Sequence, residues 1–438
     1  MRTGRLPVWA RWTAVVSALV GVATAVITWF SMPLLINWSP ADGPEQPPAQ
    51  GSASLPAVVG APSLWTPLLE QAPIGSASVL YTSNTWFSDR DLLAGLVGAG
   101  DDVYRVYTTD GEAAGMGEIL SPDGTRAASS LGIHDLATDV LREYPPAWKD
   151  LWVRPQAWSP DGATIAVLVE VGDTGSTGVD LLVPGTGEIR ELARIGGDEP
   201  LPGWTVAFSP DGTRLAVQNG AAVRVITLDA AGAGVDVPLP AGARLAGKGA
   251  WSSDGANLLV VSGASCGCAG YPVRWTVTEI AAYAGTPTGR SWSRDGVFAL
   301  RVLGWWPSGE PVAAEYTAAA GTPPTFFGTG EEQSGLTSQN AVDEARLIGL
   351  DSGRVLLAGA GMPLGGGDVE SFDVADRVLA SGAVRAGDPP LFTMGLLVFL
   401  PLTVIGISIA AVLTILLWWL IIRWWAIIGD HESARPLR

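Results

Sequence analysis

One short pattern returns along this chain, and its spacing limits the fold more than any other feature. It reads Leu120-Ser-Pro-Asp-Gly124, Trp158-Ser-Pro-Asp-Gly162 and Phe208-Ser-Pro-Asp-Gly212, with weaker copies at Trp251-Ser-Ser-Asp-Gly255 and Trp292-Ser-Arg-Asp-Gly296. Phe87-Ser-Asp-Arg-Asp91 is a degenerate first copy. The serines fall at 121, 159, 209, 252 and 293, close to the ~40–50-residue period of a four-stranded propeller blade. Each copy has the chemistry of a hairpin. Proline presets φ, Asp tolerates the next turn position, and Gly takes the left-handed conformation that closes the loop. Short apolar runs follow at once, Ile165–Val169, Leu215–Val217 and Leu258–Val261, and these read as buried strands. Asp123, Asp161, Asp211, Asp254 and Asp295, with Gly124, Gly162, Gly212, Gly255 and Gly296, are therefore structural turn residues rather than a carboxylate array.

The run W-S-P-D-G-x-x-[IL]-A-V resembles the repeat of TolB-like and WD-repeat-like β-propellers over about residues 78–361. The resemblance implies an all-β propeller and is specific for fold, whereas propellers host unrelated activities. The chain departs from soluble periplasmic TolB proteins in carrying two apolar runs, and a Pro-rich spacer where those proteins have a small α/β domain. Their role in envelope translocation is not carried over. Dividing 78–385 by a blade of about 43 residues gives nearly seven blades, and counting turn motifs gives six. Seven is the weakly preferred number. Asp368–Val384 could supply a closing strand or a stalk back to a membrane.

Residues 14–36 carry no charge and are long enough to cross a ~30 Å hydrocarbon core. Their length, and the Pro33–Ile36 ending without a small-residue cleavage site, favour an uncleaved anchor over a signal peptide. A second apolar run spans 391–422 and is interrupted by Pro401. It predicts a crossing at 399–422 preceded by an interfacial segment at 386–398. Trp418, Trp419, Trp424 and Trp425 bracket Arg423 as an interface anchor. Ser17, Gly21, Ala25, Gly406 and Ala410 have the small-residue spacing that lets helices approach closely. Arg2, Arg5 and Arg11 precede the first run, and Arg423, Arg435 and Arg438 follow the second. The positive-inside rule then puts residues 1–13 and the tail 423–438 in the cytoplasm. The Pro/Gly/Ser-rich spacer and approach at 37–77, and a propeller at 78–385, lie outside. Trp38–Ser63 in particular reads as an extended spacer.

Without those six arginines, Asp430 and Glu432, the chain keeps 20 basic against 41 acidic residues, a net charge near −21. Such a surface repels phosphate backbones, which disfavours nucleic acid. Lysine occurs only at Lys149 and Lys248, which together with the Ala/Gly richness suggests a high-GC bacterial genome.

The search for chemistry returns little. His134 and His431 are the only histidines, and by topology only His134 is outside, so a Cys/His or two-His metal site is nearly excluded. Gly263-Ala-Ser-Cys-Gly267 matches G-x-S-x-G, but that motif needs a strand-turn-helix setting with an acid and a His following. Cys266 and Cys268 admit a tight disulfide, two free thiols, or a metal or redox role. No cofactor is indicated; calcium on acidic loops, with Asp173 and Asp198 as oxygen donors, stays open without EF-hand spacing. Trp305-Trp306-Pro307 is a cluster the repeat does not explain, and it reads as core. The expectation is a non-enzymatic, membrane-tethered propeller that binds a protein or cell-envelope component. The alternative is a carboxylate-based, calcium-assisted hydrolase or lyase with its site in the channel. A signal-relay subunit is a third reading and needs a membrane partner, since the tail after Ile428 is about ten residues.

Overall fold

The computed structural model describes residues 53–62, 66–83, 93–107, 113–149, 151–170, 177–195, 200–229, 234–327, 341–360, 369–390 and 394–432. Residues 42–394 form one compact unit, and the chain from 395 onward belongs to another. The first unit is a β-propeller of six blades. From the second blade to the sixth, the innermost strands are Ile119–Leu120, Trp152–Trp158, Val206–Phe208, Ala243–Leu245 and Ala299–Trp305. Each is followed outward by three antiparallel neighbours. The first blade is closed from the other end of the chain, because Val369–Val374 is its innermost strand and pairs antiparallel with Ala77–Ser83.

Six blades, not seven, account for the propeller. Dividing length by a constant period fails because the strands on either side of the connection from 319 to 341, Pro311–Ala318 and Val342–Gly349, are neighbours in one blade. The last described strand before the helices completes blade one instead of starting another. The inner strand of blade one and its neighbour are therefore not consecutive in the chain, and five inner hairpins of consecutive strands are present among the described residues. Phe87–Asp91 lies outside the described residues, between the second and third strands of blade one in sequence. Trp292-Ser-Arg-Asp-Gly296 is not an inner turn either: it belongs to Pro287–Asp295, the outermost strand of blade five. The inner turn of blade six is Trp305-Trp306-Pro307-Ser308-Gly309, the cluster the repeat had left unexplained.

The approach to the propeller is not spacer throughout. Leu55–Pro56 pairs parallel with Val384–Arg385, and Val58–Val59 adds a fifth strand to the outer edge of blade six. Leu55 and Val59 are fully buried. Arg385 fastens the two flanks together. Its Nε meets Asp102 at 2.9 Å, and Nη2 donates to the Gly98 carbonyl at 2.8 Å and to that of Asp101 at 2.5 Å. Nη1 donates to Ser54 Oγ at 3.1 Å. A half-buried arginine loses part of its hydration, and donors met in this way offset that cost.

Met394–Glu432 is one continuous helix that runs through Pro401, so the expected interruption does not appear. Proline removes one donor and crowds the preceding turn, which long apolar helices accommodate. Val404–Trp424 is 21 residues with mean hydropathy 2.6, long and apolar enough to cross a membrane, and is the one such helix among the described residues. Its side chains at Ile407, Leu413, Leu417 and Trp418 are more than half exposed. The first apolar run, 14–36, and the spacer up to residue 52 lie outside the described residues.

Candidate functional site

The repeat residues come first, since they are the most regular side-chain chemistry in the molecule. In four copies the serine Oγ donates to Oδ1 of the turn aspartate: Ser121–Asp123 2.8 Å, Ser159–Asp161 2.6 Å, Ser209–Asp211 2.5 Å and Ser252–Asp254 2.6 Å. The same Oδ1 accepts the N–H two residues on, from Thr125, Ala163, Thr213 and Ala256. The glycine closes each loop at φ near +70°, donating its N–H back to the serine carbonyl. A side chain there would strain the backbone. These bonds favour the ionised carboxylate. The Ser209 hydroxyl and the Thr213 N–H hold Asp211 down to about 2. Ser159 and Ala163 lower Asp161, and Ser252 and Ala256 lower Asp254. Burial pushes Asp123 up, but its bonds to Ser121 and Thr125 win and leave it lowered. Asp295 is lowered for another reason, its pairing with Arg274 at 2.5 Å on the outer hairpin. Blade six repeats the loop without the carboxylate: Gly309 donates to the Trp306 carbonyl at 2.9 Å.

At two turns the preceding indole couples blades. Trp251 Nε1 donates to the Ala207 carbonyl of blade four at 3.1 Å, and Trp305 Nε1 to the Trp251 carbonyl of blade five at 2.6 Å.

The axis was the place for a catalytic alternative, and it is filled by the chain itself. Trp204, fully buried at the start of blade four, donates from Nε1 to the Leu300 carbonyl of blade six at 3.0 Å. Beside it Arg301, 1% exposed, donates from Nη2 to Tyr316 Oη and to the Phe372 carbonyl, each at 2.9 Å, and from Nη1 to the Gly115 carbonyl. Gly115 must be glycine: at φ +76° its Cβ would fall 2.2 Å from Arg301 Nη2. Lys248 of blade five then meets Asp373 Oδ1 at 3.0 Å and Asp376 at 3.1 Å, and donates to the Val374 carbonyl at 2.8 Å. Asp373, fully buried, also accepts the Leu120 N–H of blade two at 2.9 Å. Burial pulls the Lys248 ammonium down, yet the two carboxylates outweigh it and hold its pKa above the ordinary value. Asp373 and Asp376 are thus committed to a buried cation.

The remaining sequence candidates are dispersed. His134 Nε2 faces Asp139 at 2.9 Å on the outer hairpin of blade two. Ser265 of the G-x-S-x-G run ends a strand, so no nucleophile elbow forms. Among the described residues no group of three His, Cys, Asp or Glu could hold a metal ion; Asp173 and Asp198 lie outside them. Cys266 and Cys268 are joined by a disulfide in the connection between the second and third strands of blade five. One cleft of about 360 Å³ opens between blades two and three, lined by Ile133, Tyr144, Pro145, Leu182 and Pro184, with Arg142 and Glu143 at its side. Nothing in the turn pattern pointed to it, because it is built by outer strands whose sequences do not repeat.

No protein-family model matches the chain, and no curated protein matches it. Solved structures do. TolB from Acinetobacter baumannii is 14% identical, with 69% of this chain and 67% of that one covered and a TM-score of 0.44. An oligogalacturonate lyase in complex with manganese is 13% identical, with 70% and 85% covered and a TM-score of 0.38. The β-propeller domain of the Trilobed protease from Pyrococcus furiosus is 11% identical, with 64% and 70% covered and a TM-score of 0.30. TolB proteins and other β-propellers are thus what the chain is similar to in structure. Such likenesses do not reach function.

Proposed function

We propose that the propeller is a non-enzymatic binding or scaffold module for a protein or cell-envelope component, tethered to a membrane by its apolar helices and held outside the cytoplasm. The observation that supports this reading is the commitment of the buried polar groups to one another, since Trp204, Arg301 and the Lys248–Asp373 pair all bind other blades. The exposed apolar face of Val404–Trp424 supports the tether. A scaffold presents its rims and outer edges to a partner.

Crosslinking of the tagged full-length protein in native membranes, read by mass spectrometry, tests the proposal. One dominant partner, crosslinked reproducibly to propeller connections, is the expected result. Turnover of a glycan or lactone by the purified protein, abolished by Asp373→Asn without loss of fold, is the result that overturns it.

A further inference from the structure

At the mouth of the axis where the inner strands begin, the chain supplies an aromatic plug from a connection. The stretch between the second and third strands of blade six is closed at its base by the Ala319 N–H donating to the Ala341 carbonyl at 2.8 Å. Within it, Pro323 and Pro324 have no N–H to give to a sheet, so Gly321–Phe327 crosses as a strap. Phe327 is nevertheless only 3% exposed. Its ring stands edge-on to Trp275 at 4.9 Å and to Trp204 at 6.1 Å, and the Arg244 guanidinium lies 5.5 Å from its centroid. Those three side chains come from blades four and five. One phenol latches the strap: Tyr271 Oη donates to the Pro323 carbonyl at 2.6 Å and accepts the Thr325 N–H at 2.8 Å.

We propose that Gly321–Phe327 is an autoinhibitory strap and that the slot beneath Phe327 is a binding site for an aromatic side chain on an extended segment of a protein partner. The inference rests on the binding-module reading and gives that module its contact chemistry. The resident occupant defines what fits: a ring between Trp204 and Trp275, facing a cation at Arg244. Tyr271 offers one donor and one acceptor to an extended backbone. A partner segment gains entry by replacing Phe327, so its apparent affinity is reduced by the fraction of time the strap stays closed.

The test uses the purified full-length protein. Hydrogen exchange compares wild type with Tyr271→Phe: amides of 325–327 should exchange about tenfold faster in the variant, with Ala299–Trp305 unchanged. A fluorescent peptide with the sequence of residues 321–327 then probes the slot. It should bind Phe327→Ala at least about tenfold more tightly than wild type, and adding Tyr271→Phe to that variant should weaken it again, because the peptide needs the same phenol. Wild-type exchange rates in Tyr271→Phe overturn the proposal, as does peptide binding to Phe327→Ala that equals wild type or is absent. A partner crosslinked only to outer connections, together with a silent slot, overturns this inference while the binding-module reading stands.

Discussion

The guanidinium of Arg126 in blade two lies 4.6 Å from the ring centroid of Trp158 in blade three, and its Nη2 donates to the Gly162 carbonyl at 2.6 Å. Arg214 of blade four stands over Trp251 of blade five at the same distance. Thr164 holds the corresponding place in blade three, and the aromatic that follows it is Phe208. The turns are therefore inter-blade couplings as well as hairpin closures. Those at Arg126 and Arg214 join a residue that leaves one turn to the aromatic that enters the next.

Removing either arginine should loosen one blade interface. Arg126→Ala and Arg214→Ala are each expected to cost about 1–2 kcal/mol, from a lost cation–π contact and, at Arg126, a lost hydrogen bond. The two effects should add, since they act at separate interfaces. Lysine should restore little, because an ammonium lacks the flat face that stacks on indole. Urea unfolding of wild type, both alanine variants, their double and the lysine variants measures this.

The Lys248–Asp373 pair makes a sharper case. Lys248→Met leaves Asp373 buried without its cation, and loss of one partner of such a pair costs about 3–5 kcal/mol. The double variant Lys248→Met with Asp373→Leu should recover much of that, short of the unpaired Leu120 N–H, which costs about 1–3 kcal/mol. Hydrogen exchange in Val369–Val374 should rise most in the single variant, because that strand carries Asp373 and closes the propeller.

Acid should act through the turns. Asp123, Asp161, Asp211 and Asp254 are all lowered in the folded state. A depressed carboxylate contributes stability above its unfolded pKa and loses it as pH falls through the folded value. Stability should therefore be flat above about pH 5 and fall between about pH 4 and 2. Asp211→Asn keeps an acceptor for Ser209 and Thr213 but cannot titrate, so its melting temperature should fall less steeply over that window.

The turns were legible in the sequence because their chemistry is local: Ser, Pro, Asp and Gly close a loop within six residues and look alike wherever it occurs. Blade six escaped because Trp306 replaces the serine and Ser308 the aspartate, while the backbone loop is kept by Gly309. The same blindness ran the other way at Trp292-Ser-Arg-Asp-Gly296, where matching letters sit in an outer strand and Asp295 pairs with Arg274. The motif count reached six with Trp292–Gly296 misplaced, while Phe87–Asp91 lies outside the described residues. Closure by Val369–Val374 was foreseeable as a strand after the last blade, but its partner Ala77–Ser83 lies at the far end of the chain. The filled axis was not legible at all. Arg301, Trp204 and Lys248 meet only because six inner strands converge, and no spacing in the sequence records that.

The disulfide lies in the connection that also carries the strap's latch, and this gives it a consequence beyond its own bond. Cys266 and Cys268 lie with Tyr271 in one connection, and the Cys266 N–H donates to the Pro272 carbonyl at 3.0 Å. The crosslink removes freedom from the chain just ahead of the phenol. Paired Cys266→Ser and Cys268→Ser substitutions should therefore raise exchange at 325–327 about threefold or more, while the strand Trp152–Trp158 stays unchanged. Alkylation of the native protein should label neither cysteine before reduction and both after it. Labelling without a reductant would establish two thiols in this connection and remove the disulfide from any hold on Tyr271.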